Sequence, residues 1–140
     1  MIVMTVRDVM TRELVTIAPK TSCDEARSLM EVHGVRHLPV VESGRLIGIV
    51  SHSDVRCSSP RAASGVAADV MTAPPVTVSS ATRVERAARL MLRSHFGSLP
   101  VVDRGTLAGI VTYTDLLHAF VRVVETATEE RIAVDFSRLR

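Results

Sequence analysis

The chain has no tryptophan, one tyrosine and three phenylalanines in 140 residues, so any core it forms is aliphatic, built from Val, Leu, Ile, Met and Ala. With hydrophobic residues at 46%, the composition is still that of a folded protein. Lysine is nearly missing: of seventeen basic residues all but Lys20 are Arg, set against fifteen acids for a formal charge of +2. So small an excess lacks the basic footprint of a dedicated nucleic-acid binder, while guanidinium suits two-point contact with phosphate or carboxylate. Cysteine is confined to Cys23 and Cys57, without metal or redox spacing, and both read as reduced thiols of a cytoplasmic protein. No apolar run reaches the ~20 residues of a membrane span, and Met1–Val6 does not resemble a signal peptide. There is no glycine-rich lysine loop, no nucleophile elbow and no Ser, His and Asp set that spacing supports, so no enzymatic activity is expected. The histidines are scattered; His33 and His37 are four apart but fall on a helix end and a strand start, so no metal site is expected either.

What the sequence does contain is one unit written twice. Asp8-Val9-Met10-Thr11 returns as Asp69-Val70-Met71-Thr72, and Leu38-Pro39-Val40-Val41 as Leu99-Pro100-Val101-Val102, both displaced by 61 positions. Asp8–Val55 laid on Asp69–Leu116 gives 20 identities in 48 ungapped columns. In each copy an Asp-Val-Met-Thr turn precedes a short β-prone run, Leu14–Ile17 or Pro75–Val78. A helix follows, capped by Thr21-x-x-Asp24 or Thr82-x-x-Glu85. Cys23, Ala26 and Met30, and Val84, Ala87, Ala88 and Met91, form its apolar face. Gly34 fits the left-handed stop of the first helix and His95 takes that place in the second. Arg36–Val41 and Leu46–Val50, and Gly97–Val102 and Leu107–Val111, read as hairpins turning at Ser43-Gly44 and Arg104-Gly105. Pro39 and Pro100 are expected at edges or strand starts. A last helix opens near Ser53 and near Thr114; the first stops before Pro60, and the second runs through Leu116–Val124, an apolar stretch suited to core or to a dimer surface.

These elements, in fixed order and duplicated, closely resemble the CBS (cystathionine-beta-synthase) domain family. The resemblance implies an α+β fold of two β-α-β-β-α repeats packed with pseudo-twofold symmetry into one module, commonly a homodimer. The repeats would be 6–56 and 66–121, with a linker 57–65 and a C-terminal extension 122–140, whose residues after Thr126 either continue the last helix or fold over the neighbour.

Ser51-x-x-Asp54 and Thr112-x-x-Asp115 close the two repeats. A carboxylate can accept bonds from both hydroxyls of a ribose, and a hydroxyl at a helix start suits phosphate; the same spacing is also an ordinary capping box. In the family this pattern grips the ribose and phosphate of an adenosine nucleotide, and basic residues before Leu-Pro meet phosphate. The resemblance then implies one site from Ser51, Ser53, Asp54, Arg36 and His37 with Val78, Ser79, Ser80 and Ala81. The other would use Thr112, Thr114, Asp115, Gly97 and Ser98 with Ile17, Ala18, Pro19 and Lys20. Arg36-His37 is replaced by Gly97-Ser98 in the second repeat, so the Asp54 site is expected to hold phosphorylated ligand more tightly. Gly48 and Gly109 leave room for a ligand or for a neighbouring backbone. The expected function is a regulatory sensor of AMP, ADP, ATP or S-adenosylmethionine, with no required cofactor, signalling to an effector protein in trans and binding neither nucleic acid nor membrane. The competing reading is an interaction or dimerisation module without a ligand.

Overall fold

The computed structural model describes residues 3–56 and 65–138, with side chains as far as Glu129. Cys57, Pro60 and most of the predicted linker lie outside the described residues, as do the last two residues of the chain. The elements run α1 (Val6–Val9), α2 (Cys23–His33), β1 (His37–Glu42), β2 (Arg45–Ser51), a 3-10 turn (His52–Val55), α3 (Ala67–Val70), α4 (Val84–Ser94), β3 (Ser98–Asp103), β4 (Thr106–Thr112) and α5 (Tyr113–Arg138). Each repeat builds an antiparallel hairpin, β1 with β2 and β3 with β4. The turns are two-residue turns with φ of 50° and 77° at Ser43 and Gly44, and 51° and 79° at Arg104 and Gly105, the double positive φ that matches strand twist.

The predicted runs Leu14–Ile17 and Pro75–Val78 are not strands; each contributes a single parallel bridge, Ile17 to Val40 and Val78 to Val101. Ile17 N donates to Pro39 O and Val41 N to Ile17 O. The next bonds would need N–H groups from Pro39 and Pro19, which proline lacks. In the second repeat Pro100 blocks one side, and Ser80 N donates instead to Asp103 Oδ1 at 2.9 Å. Pro39 and Pro100 therefore sit inside their strands on the sparsely bonded outer side, not at the strand starts. The Asp-Val-Met-Thr segments are the ends of one-turn helices, with Asp8 Oδ2 accepting from Thr5 N and Asp69 Oδ2 from Val66 N. The α2 cap is one residue later than expected: Ser22 Oγ accepts from Glu25 N, while Thr21 Oγ1 accepts from Ala18 N. Thr82 likewise accepts from Ser79 N, and α4 starts after Arg83 without a side-chain cap. Gly34 and His95 both end their helices in the left-handed region.

The α+β halves are related by a pseudo-twofold visible in their bonds. Thr11 exchanges both backbone bonds with Ile110 of β4, and Thr72, 61 positions on, exchanges both with Ile49 of β2. Each hairpin is thus lengthened by the other repeat's motif threonine. The cores are exchanged as well. Ala67 of α3 lies in the first, with Ala26, Met30, Leu38, Val40 and Val50. Val6 of α1 lies in the second, with Ala87, Met91, Leu99 and Val101. Cys23 belongs to the first core, and burial pushes its thiol upward, so it is protonated and inert at neutral pH.

Gly48 and Gly109 make this seam possible. A Cβ on Gly109 would stand 2.8 Å from Thr11 O and 2.9 Å from Met10 Sδ, so the glycines admit the neighbouring backbone rather than a ligand.

The α1 segment is tied to the second repeat by Arg7, whose N donates to Ser80 O and whose Nη2 donates to Ser80 Oγ at 3.2 Å. Hydrogen bonds from Ser80, helped by Arg7 and Arg104, lower the Asp103 carboxyl below its usual value. A depressed carboxylate stabilises the fold above the unfolded pKa of about 4, and that contribution is lost as pH falls through the lower folded value. Asp103→Asn is expected to flatten stability against pH on this acid limb, measured by denaturant midpoints below about pH 5; an unchanged acid limb would place the linkage elsewhere.

Candidate functional site

A cleft of about 440 Å³ opens at the seam between the repeats, within the size range of small-molecule sites. Its first wall is the start of β1 with the loop before it, Gly34, Val35, Arg36 and His37; its second is the segment from Thr11 to Val15; its third is Gly97 with Thr112–Asp115. The α5 N-terminus opens into it, offering helix-start amides and the positive dipole end.

Asp115 is held in place. Its Oδ2 accepts from Thr112 N at 2.9 Å and Thr112 Oγ1 at 3.1 Å, and its own N donates to Thr112 Oγ1 at 3.2 Å. Its Oδ1 accepts from Thr11 Oγ1 at 3.1 Å, across the seam. An ionised carboxylate has roughly four acceptor positions, so the capping box and Thr11 leave one open, and a ligand diol can take the place of Thr11. Capping and cleft-lining are therefore both true of this residue.

His37 rests on Gly97: a Cβ there would lie 2.9 Å from His37 Nε2. Burial foremost, with the Arg36 charge, lowers the His37 pKa, while Asp54 pulls the other way. The imidazole is thus neutral at pH 7, able to donate from one nitrogen and accept at the other. Arg36 is exposed at the mouth, its O accepting from His52 N at 2.7 Å and its Nη2 standing 3.5 Å from His52 Nδ1.

The grouping differs from the one expected. Arg36 and His37 line the cleft of Asp115, Thr112, Thr114 and Gly97, and they also sit beside the Asp54 turn, where Arg36 O accepts from His52 N and the Asp54 charge acts on His37. The contact that brings them there is His37, at the start of β1, against Gly97 of the other repeat, which has no side chain to refuse it. Asp54 and Ser51 form their own capping box, with Asp54 Oδ2 accepting from Ser51 N at 2.7 Å, and Ser53 is exposed on that turn. Ser98 is buried at the head of β3. Ile17, Ala18, Pro19 and Lys20 are absent from the cleft wall, which uses Glu13, Leu14 and Val15 instead. Ile17 is buried against β1, Ala18 N bonds Thr21, and Pro19 O accepts from Ala68 N. Val78 is bridged to β3, Ser79 N bonds Thr82, and Ser80 is buried between Arg7 and Asp103; Val78 and Ser79 line a separate groove along α4. Thr11, Glu13 and Tyr113 were not anticipated. Thr11 carried a signal, a duplicated hydroxyl with no core role; Glu13 and Tyr113, unlike across the repeats, carried none.

The family model described as CBS domain matches residues 6–58 and again 66–122. The chain is a tandem pair of CBS domains. This CBS pair is similar to inosine-5'-monophosphate dehydrogenase of Korarchaeum cryptofilum, 36% identical over 120 residues, a match that covers 85% of this chain and 25% of that enzyme; the chain therefore spans about a quarter of this relative's length. Among solved structures it is similar to CBSX2, known from Arabidopsis thaliana, in complex with AMP, with a TM-score of 0.75 and 33% identity over 86% of this chain and 98% of that one. It is also similar to the CBS domain pair of protein MJ0100 in complex with 5-methylthioadenosine and S-adenosyl-L-methionine, with a TM-score of 0.79 and 26% identity over 85% of this chain and 97% of that one. No helix among the described residues is long and apolar enough to cross a membrane.

Proposed function

We propose that this CBS pair is a regulatory module that binds an adenosine-containing nucleotide in the Asp115 cleft and signals to an effector protein in trans. The observation that carries the reading is the meeting of Arg36 and His37 from one repeat with Thr112, Thr114 and Asp115 from the other in a single cleft. Asp115 takes the ribose hydroxyls, and Arg36 with the α5 N-terminus takes phosphate. Relatives solved with AMP, and with 5-methylthioadenosine and S-adenosyl-L-methionine, support the ligand class. Because the cleft is lined by both repeats, a ligand there binds one relative arrangement of the halves better than another, which is what a population shift requires. No required cofactor is part of this reading. The protein works in the cytoplasm on this reading.

The module acts as a homodimer. In α5, Leu116 packs on the second core and Ala119 is buried, whereas Leu117 and Phe120 are each 64% exposed, Val121 49% and Val124 44%. These recur at helical spacing as one apolar stripe, which a second copy covers. Sedimentation velocity at micromolar concentration is expected to show a dimer.

Thermal melting with AMP, ADP, ATP, S-adenosylmethionine and NAD tests the ligand. A compound at a hundred times its Kd stabilises the folded state by about 2.7 kcal/mol, so at least one adenosine compound is expected to raise the midpoint by several degrees. No shift with any of them at millimolar concentration would favour the assembly role alone.

A further inference from the structure

We infer that the groove along α4 is a second anion site, separate from the Asp115 cleft, which takes a di- or triphosphate chain. The groove, about 580 Å³, runs between α4 and the segment Thr77–Ser79 and is lined by Arg86, Arg89 and Arg93 with the hydroxyls of Thr77, Ser79 and Thr82. No acidic residue among the described residues lines it. The neighbouring Arg83 is paired with Glu85 at 3.5 Å, but the guanidinium groups of Arg86, Arg89 and Arg93 have no ion pair or hydrogen bond among the described residues.

Residues three and four apart on a helix face one another, and like charges so placed repel. Three unpaired guanidiniums within about 10 Å of helix axis are therefore a local cost that a bound anion removes. The fold does not impose them, since the corresponding positions of α2 are Glu25, Ser28 and Val32. The hydroxyls add to the donor excess. Ser79 Oγ and Thr82 Oγ1 stand 3.2 Å apart and share one proton, which leaves the other O–H for a ligand oxygen. A pocket walled by donors, with positive charge staggered along its length, matches an anion with many acceptor oxygens spread over several charged centres. An oligophosphate chain has that form, and guanidinium grips it in bidentate fashion. Inorganic oligophosphate and the tail of a nucleoside triphosphate share this chemistry.

The test is calorimetric titration of the full chain with tripolyphosphate, ATP and AMP at 0.15 M NaCl, on the wild type, R86Q/R89Q/R93Q and Arg36→Gln. Tripolyphosphate is expected to bind one site per chain, at least tenfold more weakly to the triple variant and with little change to Arg36→Gln. Binding of ATP to the triple variant with AMP-like affinity would support the same site and name the nucleotide tail as a source; tripolyphosphate binding with no added ATP effect would name the inorganic chain. Glutamine keeps the helix, and a melting midpoint of the triple variant no lower than that of the wild type confirms it, since the substitution also removes like-charge repulsion. Unchanged tripolyphosphate affinity in the triple variant, its loss in Arg36→Gln, or no binding to the wild type at this salt would overturn the assignment. So would a single-stranded oligonucleotide outcompeting tripolyphosphate at equal phosphate concentration. Because AMP binding to the Asp115 cleft is read in the same series, failure of either site is seen independently of the other.

Discussion

Asp115→Ala is expected to weaken AMP binding by roughly ten- to a hundredfold, the loss of charge-assisted bonds worth about 1.5–3 kcal/mol, while leaving the chain folded. Asp115 performs two tasks that the substitution separates by magnitude. Its Oδ2 caps α5 through Thr112 N and Oγ1, and losing a cap costs about 1 kcal/mol, too little to unfold a domain of ordinary stability. Its position on the cleft wall puts the same carboxylate in reach of a ribose diol. Since ribose is common to AMP and adenosine, both should lose affinity by similar factors. Arg36→Gln is different: it removes a phosphate partner, so calorimetry should show a loss for AMP and almost none for adenosine. Unchanged AMP affinity in Asp115→Ala would reduce this carboxylate to a helix cap.

Gly109→Val is expected to have the largest effect on stability. Its Cβ would sit 2.8 Å from Thr11 O, a backbone atom that cannot swing aside as a side chain can, and the two further methyl groups add to the collision. The bonds Thr11 N to Ile110 O and Ile110 N to Thr11 O, 2.8 and 3.0 Å, would be disrupted with it. Overpacking costs about 1–3 kcal/mol and each lost backbone bond about 1 kcal/mol, together on the order of 3 kcal/mol, or about 10 °C in midpoint for a chain of this size. Gly44→Asn is the contrasting substitution. Gly44 has φ of +77° with nothing within 4 Å of a Cβ, and Asn tolerates that region, so a change below about 1 kcal/mol is expected. Equal midpoints for Gly109→Val and the wild type in thermal melts would remove the close seam from the account.

The duplication carried most of the fold. Hairpin turns, left-handed helix stops and apolar faces are local devices, and Ser43-Gly44, Gly34 and the Ala26–Met30 face each state their structure within a few residues. What the sequence hid is what depends on the partner repeat. The short run ending at Ile17 has strand-like residues, but whether it extends a sheet depends on N–H groups at Pro19, just beyond it, and at Pro39 in the strand it would join, and proline supplies neither. Thr21 and Ser22 are both good caps, and the chain's entry angle chooses between them. The exchange of α1 and α3 between cores leaves no trace in periodicity, because Val6 and Ala67 are apolar on either assignment.

The same holds for the cleft. Thr112, Thr114 and Asp115 were legible as a motif, and Arg36 and His37 as an asymmetry between repeats. Their meeting was not, because it arises between the repeats, where His37 finds Gly97 opposite. A large side chain at one position and glycine at its neighbour across the axis is a pairing that a one-dimensional repeat alignment displays as two unrelated columns.

The most direct test of the central claim is a structure of the protein with AMP bound. The ribose hydroxyls are expected within hydrogen-bond distance of Asp115, with the phosphate between Arg36 and the first turn of α5. AMP seated elsewhere, or seated in the cleft with Asp115 still bonded only to Thr11 and Thr112, would contradict it.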